Sequence, residues 1–469
     1  MATLTMKFGG TSVGSPEALT QAAQIIREQT QRWDRAVVVV SAMNGVTDSL
    51  TRGALTAAAG DDQTYRAIVT DLRARHYGAI EALLSPDGER TKLLAMVDEY
   101  LDEFAAFCRS VHILGEVTPR AMDAITSLGE RINARILAAL LRKHRVRSEA
   151  IDATELIITD QTFQNAVPVM EATRDRVLAR LVPLMDTKTI PVVTGFIGAT
   201  EQGVITTLGR GGSDYSAAIL GACLDADEVW IWTDVDGVMT ADPRLVPEAR
   251  VIPVLSSSEV SELAYFGAKV LHPRTIWPVI ERGIPLWVKN TFNPSCPGTC
   301  IVPTSESSPG TIKAITAIQG MSLVTVEGRG MMGVPGIAAR TFAAVASQGA
   351  SVLMISQASS EQSICFVLPT QAVSSVIQAI EKEMALELAR RDINRVWSLD
   401  NVVIVTAVGA GIRSTPGVAA RIFGALGRAG INVIAIAQGS SECSISLVVN
   451  SELAAEAVRQ IHSQVILES

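Results

Sequence analysis

The fold is decided by Thr3-Leu4-Thr5-Met6-Lys7-Phe8, which runs directly into Gly9-Gly10-Thr11-Ser12-Val13-Gly14. The first six residues predict a buried strand, and Ser15 and Pro16 suit the cap and first turn of a helix. Glycines between a strand and a helix let backbone N–H groups approach phosphate oxygens, and the helix N-terminus adds positive potential. The stretch therefore predicts a phosphate-binding turn with Lys7 beside it. A strand end with a solvated lysine is the alternative.

Strand and helix patterns alternate along the first 300 residues. The predicted buried strands are residues 3–8, 36–41, 190–194 and 228–233. Apolar residues at three- and four-residue spacing predict helices at residues 15–31, 65–83, 92–111 and 119–144. This alternation is typical of an α/β sheet that is covered by helices on both faces. Pro, Gly and Ser cluster from Pro294 to Gly310, and we place a domain boundary there.

The remainder of the chain contains an internal repeat. Pro335-Gly336 matches Pro416-Gly417 and Gln357 matches Gln438, so the two copies are offset by 81 residues. A constant offset of this kind indicates two copies of one module. Each copy reads strand, glycine-rich turn, helix, strand, strand and helix, which predicts a ferredoxin-like βαββαβ sandwich.

The composition excludes several classes of protein. The chain has 469 residues with 40 basic and 48 acidic side chains, a net charge of −8, and no basic run of the kind that binds nucleic acid. Its apolar stretches are too short or too charged to span a membrane. Its six cysteines lack the spacing of a zinc site, so we expect free thiols, a reducing compartment and no metal bound by the protein alone. Because no signal-peptide pattern is present, we expect a soluble cytoplasmic protein.

Two further segments combine charged residues with glycines. Gly209-Arg210-Gly211-Gly212-Ser213-Asp214 precedes an Ala-rich helix, and Arg210 can bind a carboxylate through two parallel hydrogen bonds. The segment from Thr233 to Arg244 follows a strand, and its Asp and Arg side chains can contact a nucleotide and its magnesium. An exposed Arg in a glycine turn and a plain acidic turn are the respective alternatives.

Taken together, these segments resemble those of aspartate kinases. The matching strings are KFGGTSV at 7–13, SLGER at 127–131, TLGRGGSDYS at 207–216, WTDVDGVMTADPR at 232–244 and FGAKVLHP at 266–273. Their order and spacing cover nearly the whole chain. The resemblance implies an amino-acid-kinase fold, a three-layer αβα sandwich, at residues 1–300. Two ferredoxin-like ACT modules would follow at residues 315–395 and 396–469.

The resemblance also implies a reaction, the transfer of the γ-phosphoryl group of ATP, bound with Mg²⁺, to the side-chain carboxylate of L-aspartate. The product would be 4-phospho-L-aspartate, the entry to lysine, threonine, methionine and isoleucine synthesis. By matched position, Lys7 and Asp214 are the expected catalytic residues. The expected substrate contacts are Ser41, Thr47, Glu130, Arg210 and Ser213. The expected ATP contacts are Gly9, Gly10, Thr11, Ser12, Gly211, Gly212, Thr233, Asp234, Met239, Arg244, Lys269 and Val270. Met239 stands where many family members have Tyr, which puts the nucleotide contact at this position in doubt.

The repeat resembles the ACT region of bifunctional aspartokinase–homoserine dehydrogenases, which are typically inhibited by threonine. The resemblance implies threonine feedback through Gln357 and Gln438, with lysine as the alternative effector. The glutamines could instead serve only to bond exposed backbone at strand ends. Because the sequence ends at Ser469, we expect a monofunctional kinase, and open ACT sheet edges predict a homodimer or larger homo-oligomer.

Two other functions compete with aspartate kinase. An amino-acid kinase acting on glutamate, N-acetylglutamate or a nucleotide would share the fold but not this combination of strings. A catalytically silent ACT sensor of amino acids would be favoured by loss of a charged site residue. Lys7, Glu130, Arg210 and Asp214 are all present.

Overall fold

The protein divides into two compact units, as seen in a computed structural model that describes residues 1–268, 271–304, 311–358, 361–438 and 443–467. The first unit contains residues 1–238, 251–257 and 271–304, and the second contains residues 239–250, 258–270 and 305–469. Two segments from within the first 300 residues therefore belong to the second unit. Among the described residues, no helix is both long enough and apolar enough to cross a membrane.

An eight-stranded sheet forms the centre of the first unit. The strands up to residue 302 are β1 (Thr3–Phe8), β2 (Arg35–Val40), β3 (Ser148–Ile151), β4 (Ile190–Thr194), β5 (Ile197–Ala199), β6 (Ile205–Thr207), β7 (Glu228–Thr233), β8 (Val254–Ser256), β9 (Leu286–Asn290) and β10 (Thr299–Val302). The sheet order is β3-β4-β2-β1-β7-β9-β10-β8, while β5 and β6 form a separate hairpin. All neighbours in the large sheet are parallel except β9 and β10. The stretch expected to be a linker thus contains a strand, β10.

Helices cover both faces of this sheet. The helices up to residue 280 are α1 (Pro16–Gln29), α2 (Val46–Ala58), α3 (Gln63–Leu83), α4 (Gly88–Leu114), α5 (Pro119–Thr126), α6 (Leu128–Lys143), α7 (Met170–Asp186), α8 (Gly212–Cys223), α9 (Ser257–Tyr265) and α10 (Pro273–Ile280). α6 packs on α1 and on β2 to β4, whereas α7 and α8 pack on each other and on the central strands. The three-layer α/β architecture is therefore confirmed, and every strand predicted in this part lies within one residue of its position.

The helix predicted over residues 119–144 is wrong in one respect, because the structure breaks it into α5 and α6 at Ser127. The hydroxyl of Thr126 donates to the carbonyl of Met122 at 2.8 Å, and the hydroxyl of Ser127 donates to that of Ala124 at 2.7 Å. Hydroxyl groups that bond to preceding carbonyls compete with the helical ladder. The break lets α6 begin just before Glu130.

The second unit is built on a six-stranded antiparallel sheet. Its strands are β11 (Ala314–Glu327), β12 (Met354–Gln357), β13 (Ser363–Pro369), β14 (Arg395–Val408), β15 (Ala435–Ala437) and β16 (Ser444–Asn450). Its helices are α11 (Ile337–Ser347), α12 (Val373–Glu383), α13 (Ala385–Arg390), α14 (Val418–Arg428) and α15 (Ala454–His462). The sheet order is β12-β13-β11-β14-β16-β15, so the two copies of the repeat lie side by side with β12 and β15 at the edges.

The two copies share their long central strands. The second part of β11, from Met321, pairs with β13 of the first copy, and its first part pairs only with the second part of β14. Ile315 in the first part of β11 packs in one core with Ile422 and Ile461 of the second copy. The second copy therefore takes its fourth strand from the chain that precedes the first copy.

The segment 239–250 also completes the core of the second copy. Its Ala241 and Val246 are buried in the same apolar cluster as α14 and α15. The carbonyl of Thr240 accepts the N–H of Ile315 at 2.8 Å, and the Thr240 hydroxyl lies 2.8 Å from Nε2 of the buried His462. A segment that sequence order assigns to the kinase part is thus held by the regulatory unit.

Candidate active site

A cavity of about 720 Å³ lies in the first unit, where β1 and β2 end. It is lined by the carboxyl ends of these strands, by the amino-terminal turns of α2 and α8, and by residues of α5 and α6. The cavity brings together ten of the residues named from the sequence, which are Lys7, Gly10, Ser41, Thr47, Glu130, Arg210, Gly211, Gly212, Ser213 and Asp214.

The centre of this cavity is an ion pair between Lys7 and Asp214. Lys7 is on the last turn of the β1 pleat and Asp214 is in the first turn of α8, and the Nζ and Oδ1 atoms are 2.6 Å apart. The side chains are only 10% and 16% exposed, so the carboxylate holds the ammonium in a fixed place. Gly9 leaves room for it, because a Cβ atom there would lie 3.3 Å from the Lys7 Nζ.

Two helices point their amino-terminal ends at the same space. α2 follows Gly45, with φ of 78°, and α8 follows Gly211, with φ of 71°, and both are backbone conformations that favour glycine. The free N–H groups and the helix dipole make such ends positive. With Lys7 and Arg210 they form a cationic surface suited to phosphate and carboxylate groups. Within the described residues the exposed Arg210 guanidinium has no acidic partner, so it remains available for a ligand.

Glu130 is the buried acidic group of the cavity. It lies in the first turn of α6 and is 3% exposed. Burial raises the pKa of Glu130 to about 8, although a hydrogen bond from the backbone of Ala42 opposes the shift. Its Oε2 atom has no hydrogen-bond partner among the described residues. A buried carboxylate with a free oxygen is a suitable acceptor for a ligand ammonium group.

Asp123 was missed from the sequence. It is 1% exposed, and its carboxylate accepts the N–H of Gln164 as well as the N–H and the hydroxyl of Thr207, the last at 2.7 Å. Burial raises the pKa of Asp123, and these hydrogen bonds act in the opposite direction. The available signal was an acid between Met122 and Ile125, on the apolar side of α5.

Several expected ATP contacts lie away from the lining of this cavity. Ser12 is buried, donates to the carbonyl of Trp232 at 3.2 Å and accepts the hydroxyl of Thr291 at 2.7 Å. Gly9 and Thr11 flank Gly10 in the same turn, and Thr233 and Asp234 stand at the end of β7. Met239 and Arg244 belong to the second unit, where Arg244 pairs with Asp242 at 2.6 Å. Lys269 and Val270 lie outside the described residues.

The two expected effector contacts lie at the edges of the regulatory sheet. Gln357 is the last residue of β12, and Gln438 directly follows β15. Both side chains are exposed. They occupy the same position in the two copies of the repeat.

Comparisons with known proteins agree with this arrangement. The amino acid kinase family model matches residues 3–290, and the ACT domain model matches residues 324–384 and 405–465. The chloroplastic bifunctional aspartokinase/homoserine dehydrogenase 1 of Arabidopsis thaliana is 39% identical over 98% of this chain and 51% of its own length. Aspartokinase 2, chloroplastic, of the same species is 32% identical over 98% of this chain and 84% of its own length. The chain spans about half the length of the bifunctional relatives that it matches.

Solved structures show the same relationship. The structure of E. coli aspartokinase III in complex with lysine and aspartate is 28% identical and covers 99% of both chains with a TM-score of 0.80. The structure of Clostridium acetobutylicum aspartate kinase is 25% identical and covers 99% of this chain and 100% of that chain, also with a TM-score of 0.80. With its kinase fold, its paired ACT modules and the charged cavity where β1 and β2 end, this chain belongs to the amino acid kinase family and, within it, to the aspartokinases.

Proposed function

We propose that this chain transfers the γ-phosphoryl group of ATP to the side-chain carboxylate of L-aspartate, giving ADP and 4-phospho-L-aspartate. Because the chain spans about half of its bifunctional relatives, the proposal concerns the kinase reaction alone. The observation that carries it is the Lys7–Asp214 ion pair, which shares one cavity with the buried Glu130 and the unpaired Arg210. We assign this reaction to residues 1–300 and regulation to the modules at 315–395 and 396–469.

The proposed chemistry depends on positioning and charge. The aspartate side chain is ionised at neutral pH, so it can attack phosphorus without a general base. One of its oxygens forms the new bond to phosphorus while the bond to the oxygen of the leaving ADP breaks. Lys7, held by Asp214, neutralises the charge on the transferring group, and the amino-terminal ends of α2 and α8 add positive potential at no cost in reorganisation.

Substrate selection follows from the other two charged groups. Arg210 binds the α-carboxylate through parallel hydrogen bonds, and Glu130 accepts the ammonium group with its free oxygen. Ser41, Thr47 and Ser213 supply hydroxyl groups along the same wall. A glutamate substrate would be longer by one methylene between these fixed ends, and N-acetylglutamate would lack the ammonium.

The remaining contacts of the nucleotide belong to this proposal. The hydroxyl and carboxylate oxygens of the cavity are the hard donors that suit Mg²⁺ carried by ATP, and the ion would neutralise phosphate charge when bound. Gly10, Gly211 and Gly212 offer backbone N–H groups to the phosphates. The other proposed ATP contacts are Gly9, Thr11, Ser12, Thr233, Asp234, Met239, Arg244, Lys269 and Val270.

We also propose feedback by an amino acid through the regulatory sheet. Gln357 and Gln438 would contact threonine, with lysine as the alternative effector. The edge strands expose Ile355 and Ile436, at 50% and 45%, which favours pairing with another copy in a homodimer or larger assembly. The six free cysteines support a reducing, cytoplasmic setting.

The test is aspartate-dependent ADP formation with Mg-ATP, with the acyl phosphate trapped as its hydroxamate. We expect hydroxamate from aspartate but not from glutamate or N-acetylglutamate, and suppression by threonine. Suppression by lysine alone would keep the enzyme and change the effector. Folded protein that binds an amino acid but turns over no aspartate would replace the kinase with a silent sensor.

A further inference from the structure

A second cavity of the first unit lies at the opposite end of the sheet. It has a volume of about 420 Å³ and lies where β2 and β4 begin, at Ala36 and Ile190. Ser41 in the proposed active site directly follows the end of β2. Because a six-residue strand spans roughly 20 Å, the two cavities are separate sites.

The lining of this second cavity is strongly cationic. Its basic side chains are those of Arg27, His144, Arg145, Arg147 and Lys188, and Asp34 is the one acid among the described lining residues. This concentration is unexpected on a chain whose net charge is −8.

The acidic groups around this cavity are already bonded elsewhere. The Asp34 carboxylate accepts the backbone N–H of Ala2 at 2.9 Å, and the carbonyl of Asp34 accepts the ammonium of Lys188. The neighbouring ion pairs are Arg35 with Asp186, Arg142 with Glu89 and Arg180 with Glu149.

Three guanidinium groups of the lining are left over. In the part of the chain that the structure describes, the side chains of Arg27, Arg145 and Arg147 form no hydrogen bond and no ion pair with another residue. Burial lowers the pKa of His144, and the positive charges of Arg27 and Lys143 lower it further. Like charges that face one cavity repel, and a bound anion would remove that repulsion.

The wall between these charges is apolar and partly aromatic. Trp33, Val146, Met185 and Ile190 line it, and the Trp33 ring is oriented by an edge-on contact with Trp230 at 6.1 Å between ring centroids. Guanidinium forks match phosphate oxygens in geometry, and an indole face suits a planar base.

We propose that this cavity binds a phosphate-bearing anion, with Arg27, Arg145 and Arg147 on the phosphate oxygens. Phosphate can reach the site as a nucleotide, whose base would pack on Trp33, or as inorganic phosphate. The site does not depend on the kinase reaction proposed above.

The test is calorimetric titration of the full chain at low salt with two probes, adenosine monophosphate and inorganic phosphate. The key variant is R27Q/R147Q, and R145Q alone is an independent second variant. The matched control is R109Q/R176Q, which removes two exposed arginines elsewhere in the first unit. Any binding at the active site persists in all variants and cancels in the comparison.

We expect R27Q/R147Q to weaken phosphate-dependent binding about tenfold or more, with a smaller loss in R145Q and none in the control. Tighter binding of the nucleotide, weakened further by Trp33→Leu, would identify a nucleotide site. Equal affinity for the two probes would identify a site for the free anion. Binding that is absent, or that R27Q/R147Q and R145Q leave unchanged, would overturn the proposal.

Discussion

The proposed active site and the proposed effector contacts differ in their exposure to water. Lys7 and Glu130 are 8% and 3% exposed, and each is fixed by its neighbours. Gln357 and Gln438 are exposed at the ends of edge strands. Charges act strongly where water is excluded, whereas exposed hydrogen bonds have small net free energies.

This difference predicts two kinds of response to mutation. A change in the cavity should alter the reaction itself and leave a buried group without its partner. A change at the sheet edge should alter only the response to an effector. The predictions below would break this contrast if either region behaved like the other.

The largest effect is expected for Lys7→Met. It removes the cation at the transferring phosphoryl group and leaves Asp214 without the ammonium 2.6 Å away. We expect kcat to fall about 10²–10³-fold, the usual effect of losing one charge-stabilising donor. Steady-state hydroxamate assays measure it, with the exposed Lys92→Met as the control. A fall in kcat of less than tenfold in folded protein would remove Lys7 from the chemistry.

Glu130 predicts a dependence of aspartate binding on pH. The ligand ammonium needs the ionised carboxylate, and the pKa of Glu130 is raised to about 8. Below that pH the ionised fraction grows about tenfold per pH unit, so KM for aspartate should fall as pH rises and level off above about 8. Glu130→Gln should give a high KM that does not change with pH, and the exposed Glu103→Gln should follow the parent protein.

The same shift also has a consequence for stability. Because the folded pKa of Glu130 lies above that of an unfolded glutamate, the group stabilises the ligand-free fold below the unfolded value. That stabilisation is lost as pH rises through about 8. Thermal melts between pH 4.5 and 8.5 should show a smaller decline in Glu130→Gln. Identical declines in the two proteins would contradict the assigned pKa.

A moderate effect is expected for Asp123→Asn. The carboxylate joins α5 to Thr207, three residues before Arg210, and an amide has only one oxygen to replace its two acceptors. We expect kcat/KM for aspartate to fall about tenfold, mainly through KM, because Arg210 is positioned less well. The double variant with Thr207→Val should lose less than the sum of the two single losses. Additive losses would mean that Asp123 acts elsewhere.

The sequence predicted those parts of the cavity that are local in the chain. The turn after β1 and the turn before α8 are each set by glycines next to a strand or helix, and both face the cavity. Asp123 was not predicted because its partners are 41 and 84 residues away. An acid on an apolar helix face carries no local sign of what it will bond.

Long-range pairing was also beyond the sequence. The repeat predicted two modules, but the first part of β11 was not predicted as a strand, and nothing local shows that it completes the second module. The segment that holds Thr240 was placed by its motif beside a nucleotide, and the structure buries it in the core of the second unit. Such choices are decided by which distant apolar faces can be covered, which no short stretch encodes.

The smallest effect on the reaction itself is expected for Gln357→Ala and Gln438→Ala. Each removes an exposed amide from an edge strand, so kcat and KM without effector should stay within about twofold of the parent values. The concentration of threonine that halves the rate should rise up to about tenfold, since one exposed hydrogen bond contributes about 0.5–1.5 kcal/mol. Inhibition curves for the two single variants and the double variant measure this, with the exposed Gln371→Ala as the control. Because the two glutamines occupy matching positions in the repeat, unequal single effects would show that the modules bind effector differently. A loss of uninhibited activity in either variant would break the contrast, because the sheet edge would then belong to the catalytic machinery.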